Sequence, residues 1–248
     1  LINLRNIKAK QGDFFLSVNS LSINKGQLIA VMGNNGSGKS TFLQIIAGIK
    51  SFTGDYALFN TDMKDFTRLE LARKIGLFPQ ERSLNMPFDV SYVVLSGRYA
   101  RSNGISYTDK DMKETQKWLV ELDIDRLSAR LFNELSGGEK QRVFLSRVLN
   151  MDTDVILLDE PFSAIDMAHQ LKIINLLKTM AQNKIIIVVI HDLSFAIQHF
   201  TKFLFFKNGA LLYNLDAAQL EESHLSEIFD IKIAFYKNNG RSFVYTEC

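Results

Sequence analysis

The sequence predicts an α/β fold on a mainly parallel sheet, with an antiparallel β part near the amino terminus and a helical insertion over residues 87–150. Three observations carry this. Compact two-sided apolar runs at residues 28–32, 155–158 and 185–190 alternate with segments of helical periodicity, the pattern of strands covered by helices on both faces. Residues 15–31 instead place apolar side chains at alternate positions, Leu16 and Val18, then Leu21 and Ile23. Polar breaks at Asn19-Ser20 and Asn24-Lys25-Gly26 make this region read as short strands joined by turns. Between Pro87 and Asn150 no strand-like run occurs.

Each element follows from local pattern. The run at 28–32 leads into a glycine-rich loop and a helix-like segment at 40–49, giving strand, loop, helix. Helical patterns then fall at 90–97, 109–122 and 137–149, and Thr108 with Asp111 three residues on is a capping pair that opens the second of these. In 167–182, Leu171, Ile174 and Leu177 recur at helical spacing, as do Ile173, Leu176 and Met180, ahead of the strand at 185–190. Strands at 203–206 and 210–213 flank Lys207-Asn208-Gly209, and an Asn-Gly pair suits a tight hairpin because both residues tolerate positive φ. A single domain over 1–248 is expected, its core drawn from 1–86 and 151–248 and its helical subdomain from 87–150.

Composition narrows the class. Only 14 glycines and 3 prolines accompany 46% apolar residues among 248, which excludes fibrous and low-complexity chains. A chain of this length buries enough surface to fold without disulfide or structural metal. Its single cysteine, Cys248, cannot build a disulfide framework, which suits a reducing compartment. Lys and Arg number 29 against 27 Asp and Glu, and a net charge of +2 lacks the basic footprint of a dedicated nucleic-acid binder. The longest apolar stretches, such as 185–190, fall far short of the roughly 20 residues a spanning helix needs, and the alternating, charged amino terminus is unlike a signal peptide.

The chemistry lies in three motifs. Gly33-Asn34-Asn35-Gly36-Ser37-Gly38-Lys39-Ser40, followed by Thr41, fits G-x-x-x-x-G-K-[ST] and sits between a strand and a helix. Its glycines let consecutive N–H groups turn inward on phosphate oxygens and the helix adds its positive end; Lys39 would reach the β and γ phosphates and the Ser40 hydroxyl would ligate magnesium. Asp159 and Glu160 close the buried run at 155–158, where ligands of open α/β sheets bind. Asp159 would hold magnesium, and Glu160 would polarise an attacking water. Leu135-Ser136-Gly137-Gly138-Glu139 starts a helix with capping-box spacing, and its two glycines leave bare N–H groups at a positive helix end, a second phosphate-binding surface.

Together these motifs make the whole chain resemble the ATPase subunit of an ABC transporter, a RecA-like P-loop NTPase. The resemblance implies a head-to-tail pair of subunits, in which Ser136, Gly137 and Gly138 of one face the γ phosphate held by Lys39 of the other. Gln80, in Phe78-Pro79-Gln80, matches the Q-loop glutamine, which touches magnesium and relays motion to a membrane partner. Asp166, in Ser163-Ala164-Ile165-Asp166, matches the D-loop aspartate working across the dimer, and equally suits an N-cap. His191 matches the switch histidine that contacts the γ phosphate; His169, His199 and His224 read as structural. Where the family places an adenine-stacking aromatic this chain has Lys10, which leaves Phe14, Phe15 or neither as the substitute, each phenylalanine being as easily a core residue of a strand.

Val94-Leu95-Ser96-Gly97-Arg98-Tyr99 and Asp166-Met167-Ala168-His169-Gln170 are similar to the importers of iron-siderophore complexes, haem and cobalamin. The resemblance thus implies ATP with Mg2+, a second copy of the chain, integral membrane permease subunits and an extracytoplasmic substrate-binding protein acting through them. It implies no nucleic acid, and a place at the cytoplasmic face of the membrane. An importer of zinc, manganese or molybdate is the alternative, followed by a soluble non-transport ABC ATPase. Chromosome-organising relatives would need a long coiled coil between the two ATP half-sites, and Lys39 and Ser136 are only 97 positions apart without sustained heptads.

Overall fold

The computed structural model describes residues 1–80, 87–102, 106–238 and 241–246, so Cys248 lies outside it. Its contacts gather the chain into two units, Leu1–Asp65 with Ala181–Cys248, and Phe66–Met180. The first opens with β1 (Ile2–Gln11), β2 (Phe14–Ile23), β3 (Gln27–Met32), α1 (Lys39–Ile46), β4 (Thr53–Leu58) and β5 (Thr61–Asp62). The second holds α2 (Arg68–Lys74), β6 (Ile75–Phe78), α3 (Val90–Leu95), α4 (Asp109–Glu121), α5 (Gly137–Asn150), β7 (Val155–Asp159) and α6 (Met167–Ala181). Completing the first are β8 (Ile185–Val189), α7 (Leu193–His199), β9 (Lys202–Lys207), β10 (Ala210–Asp216), α8 (Glu222–Phe229), β11 (Ile233–Asn238) and β12 (Arg241–Thr246).

In the first unit the strands bond in the order β5-β4-β1-β2-β10-β9-β3-β8. β3 runs parallel to both β8 and β9, whereas β1 is antiparallel to β2 and β4, so the parallel core and the antiparallel part foreseen from the sequence share one sheet. Every residue of β8 is wholly buried, as its unbroken Ile and Val content requires of a central parallel strand. The expected break at Asn19-Ser20 is not a turn, because β2 runs through it paired to β1. Asn6, level with Asn19, takes φ 52°, and the local irregularity shifts the buried set from Leu16 and Val18 to Leu21 and Ile23 without ending the strand. Helix α1 also stops at Ile46 rather than at residue 49, since Gly48 adopts the left-handed conformation (φ 71°) that terminates helices.

The hairpin joining β9 and β10 forms as the sequence predicts, with φ of 48° at Asn208 and 79° at Gly209. A second sheet, β11 with β12, lies beyond the elements legible from periodicity.

In the second unit β6 and β7 are parallel, with Phe78 opposite Leu158. Capping boxes open α2 (Thr67, Glu70), α4 (Thr108, Asp111) and α5 (Ser136, Glu139). Helices α3, α4 and α5 close around a buried polar node. Arg98 donates through Nε to Asp111 Oδ1 (2.8 Å) and through Nη1 to the Asn150 carbonyl (3.0 Å), while Asn150 Nδ2 donates to the Val94 carbonyl and to Thr115 Oγ1, both at 2.9 Å. Burial pushes the Asp111 carboxyl up, but bonds from the Thr108 backbone N–H, Arg98 and the Thr108 hydroxyl outweigh it and hold the group at about 2.

Candidate functional site

The residues singled out by motif fall in both units. In the first, the loop 33–38 connects β3 to α1. Gly33 has φ 141°, and a Cβ there would lie 2.0 Å from the Phe206 carbonyl oxygen, so no other residue fits this turn against β9. Lys39 is buried and donates through Nζ to the carbonyls of Gly33 and Asn34, both at 2.9 Å, which closes the loop over its own lysine. Gly38 stands at the N-cap of α1 without a side-chain hydrogen bond, and no acidic residue occupies the first turn. Helices α2, α3, α4, α5 and α7 are each capped by their own Thr, Asp or Ser, and α8, without a side-chain cap bond, carries Glu222 in its first turn; α1 has neither, which leaves its positive front open to an outside anion. The Ser37 hydroxyl oxygen is buried without a hydrogen-bond partner, a second polar group that fits an anionic ligand here.

The loop is braced from sides that the motif does not reveal. Gly209 donates its N–H to the Ser37 carbonyl (3.2 Å), and Asn34 Nδ2 donates to the Ile228 carbonyl at the end of α8 (3.4 Å). The Phe14 ring and the Leu16 side chain lie under Gly38 as its nearest side-chain neighbours. Parallel register then places His191. Val31 of β3 is opposite Val189 of β8, so Gly33 and His191, each two residues further on, leave the sheet at the same level. His191 is exposed, just ahead of Asp192, which caps α7 through the Phe195 N–H (2.8 Å).

The second unit repeats this device. With Phe78 opposite Leu158, Gln80 and Glu160 emerge level with each other, and Gln80 Nε2 donates to Glu160 Oε1 at 2.8 Å. Glu160 sits at φ 52°, an unfavourable conformation for a side chain with a Cβ, and Asp159 before it is buried at 4% exposure. Within this unit Asp159 and Gln80 carry the oxygen donors that a hard divalent cation takes.

At the front of α5, Ser136 and Glu139 bond reciprocally. The Ser136 N–H and hydroxyl donate to Glu139 Oε2 at 2.9 and 2.8 Å, and the Glu139 N–H donates to Ser136 Oγ at 3.4 Å. The backbone N–H of Ser136, then its hydroxyl, holds the Glu139 carboxyl below the usual range, so the serine hydroxyl is engaged by an ionised partner. The two glycines differ. A Cβ on Gly137 would meet nothing within 4 Å, whereas one on Gly138 would lie 2.7 Å from the Ala164 carbonyl oxygen. Asp166 accepts from the His169 N–H (3.1 Å) and pairs with His169 Nδ1 (2.7 Å), so its capping role holds and accounts for His169 as well.

Residues 16–163 match the sequence profile of the family described as ABC transporter. The chain belongs to this family. It is an ATP hydrolase of the kind coupled to transmembrane transport. The petrobactin import ATP-binding protein YclP of Bacillus subtilis is 32% identical over 251 residues, covering 99% of each chain. The hemin import ATP-binding protein HmuV of Photobacterium profundum is 35% identical over 198 residues, covering 77% of this chain and 70% of its own. Among solved structures, a metal-chelate type ABC transporter in an inward-facing conformation superposes with TM-score 0.83 at 25% identity, covering 99% of this chain and 96% of that one. A dimeric ATP-binding cassette in a post-hydrolysis state, bound to ADP and Pi, gives TM-score 0.76 at 28% identity, covering 88% of this chain and 99% of that one.

Both segments similar to iron-type importers are packing devices in this ABC ATPase. A Cβ on Gly97 would lie 2.3 Å from the Arg147 carbonyl oxygen, Ser96 Oγ accepts from Arg147 Nε (2.9 Å), and Arg98 fills the polar node. Gln170 Nε2 donates to the carbonyls of Phe162 (3.1 Å) and Ile165 (2.8 Å), bracing the loop before α6. The two phenylalanines also separate. Phe14 supports the phosphate loop, whereas Phe15 is 61% exposed with Lys10 Nζ 5.1 Å above its ring. Gln141, which no motif reading picked out, is 1% exposed; a polar residue on a helix carries no sequence signal for burial. Among the described residues no helix is long and apolar enough to cross a membrane.

Proposed function

We propose that this chain is the ATPase subunit of an importer for iron-siderophore complexes, haem or cobalamin, working as a head-to-tail pair on membrane permease subunits. The observation that carries the ATP half of this reading is the closed glycine loop with buried Lys39 ahead of a helix front that has neither a side-chain cap nor a first-turn acid. The cargo half rests on likeness to the petrobactin and hemin import proteins and to the metal-chelate type transporter. In this reading the subunit sits at the cytoplasmic face, and an extracytoplasmic binding protein delivers cargo to the permease. Residues 87–150 serve as the helical subdomain that presents the second phosphate-binding motif.

The backbone N–H groups of 33–38, with Thr41 in the first turn of α1, hold the α and β phosphates, and Lys39 draws charge from the β and γ phosphates. Glu160 accepts the proton of the attacking water, and His191 and Gln80 orient the γ phosphate and that water. Ser40, Asp159 and Gln80 would hold Mg2+, which when bound neutralises phosphate charge and fixes its geometry. Asp166 and the Ser136-Gly137-Gly138 front act on the partner copy's nucleotide. Phe15, exposed where Phe14 is committed to the loop, offers its ring to adenine.

The test is Glu160→Gln with ATP and magnesium. Nucleotide-bound dimers should accumulate while hydrolysis falls by about 100-fold to 10,000-fold, the range a general base supplies. Wild-type turnover in that variant removes Glu160 from its role.

A further inference from the structure

Glu160 leaves β7 in the left-handed region, so something besides its own conformational preference must hold it there. Residue 161 is proline and has no N–H with which to tie the turn to itself. One side chain reaches the turn from α5. The buried Gln141 amide donates to the Glu160 carbonyl (3.1 Å) and to the Pro161 carbonyl, approaches Ser163 Oγ at 3.5 Å, and accepts from the Ala164 N–H at 3.1 Å. An amide is the uncharged group able to donate to carbonyls at one end and accept from an N–H at the other.

From this geometry we propose that Gln141 is a positioning residue for the hydrolytic reaction, clamping the 160–164 turn so that the Glu160 carboxylate faces its water. The inference rests on the reading of Glu160 as general base. It adds a mechanical link within one chain. The helix whose front carries Ser136, Gly137 and Gly138 is tied, one turn further on, to the base, and Gly138 seats directly on Ala164 of the clamped turn. Whatever moves the front of α5 therefore moves Glu160 with it.

Gln141→Met keeps the volume and removes every bond; Gln141→Glu keeps the acceptor for Ala164 and sets a carboxylate oxygen against two carbonyls. In the purified full-length chain both variants should lower kcat by about 10-fold to 100-fold, the cost of misplacing a reacting group by roughly 1 Å, with KM for ATP and nucleotide stoichiometry within about 2-fold of wild type. Hydrogen exchange in 160–164 should rise. In a Glu160→Gln background, Gln141→Met should add no further loss, since both changes act through one carboxylate. Should the methionine variant fail to fold, the glutamate variant decides. Wild-type kcat in a folded Gln141 variant, or an additive loss in the Glu160→Gln background, overturns the clamp. Turnover retained by Glu160→Gln itself removes the reading beneath it, whereas turnover lost there and retained in Gln141→Met removes the clamp alone.

Discussion

Two adjacent glycines at the front of α5 should respond in opposite ways to one added methyl group. At Gly138 a Cβ would lie 2.7 Å from the Ala164 carbonyl oxygen, about 0.7 Å inside ordinary contact, and the obstacle is main chain that cannot rotate away. Overpacking of that kind costs about 1–3 kcal/mol, which lowers the melting temperature by about 3–10 °C in a chain of this size. Because the displaced turn carries Glu160, kcat should also drop by about 10-fold or more. At Gly137 the space is open, and alanine should leave stability unchanged or raise it by up to about 0.5 kcal/mol through helix propensity. Its cost should appear only where a phosphate must approach the bare helix front, as a loss of ATP-dependent dimer and of turnover from a fully folded chain. Thermal melts paired with ATPase assays and size-exclusion chromatography in ATP read both effects. A Gly137→Ala chain as destabilised as Gly138→Ala, or Gly138→Ala with wild-type melting and turnover, refutes the assignment of one glycine to packing and the other to ligand.

The buried node of the helical region sets an acid limit. Asp111 titrates at about 2 in the folded chain against a reference of 3.8, so the unfolded chain takes up the proton first; the stabilisation is whole above pH 4 and is lost as pH falls toward 2. Equilibrium unfolding across that window should show the loss in wild type, whereas Arg98→Met should be destabilised at neutral pH by several kcal/mol, about 3–5, with a shallower acid slope. For the two phenylalanines, Phe15→Ala should weaken ATP binding by about 1–3 kcal/mol without moving the melting temperature, and Phe14→Ala should lower the melting temperature. Equal nucleotide affinity in wild type and Phe15→Ala would leave adenine without this platform.

How much was readable in advance depended on whether the cause was local. Capping boxes at Thr108 and Ser136, the Asn208-Gly209 hairpin and the buried parallel strands are each written within a few residues, and the structure has them. Asn19-Ser20 looked like a turn because polar residues break strands, yet the deciding partner, Asn6, stands on another strand. The segments 94–99 and 166–170 read as marks of an importer group, and their chemistry here is close packing of α3 on α5 and bracing of a loop.

By itself, the sequence determined which residues are candidates for the chemistry, because phosphate binding and water activation each demand particular groups at fixed local spacing: glycines ahead of Lys39, carboxylates after a buried strand, bare N–H groups behind Ser136. Only the tertiary structure decided what holds those groups in place. The pairing of Gln80 with Glu160, the seat of Gly138 on Ala164, the Gln141 clamp and the bracing of the 33–38 loop by Gly209 and Ile228 all join residues far apart in the chain. Such contacts depend on register and approach between strands and helices, which no local spacing encodes.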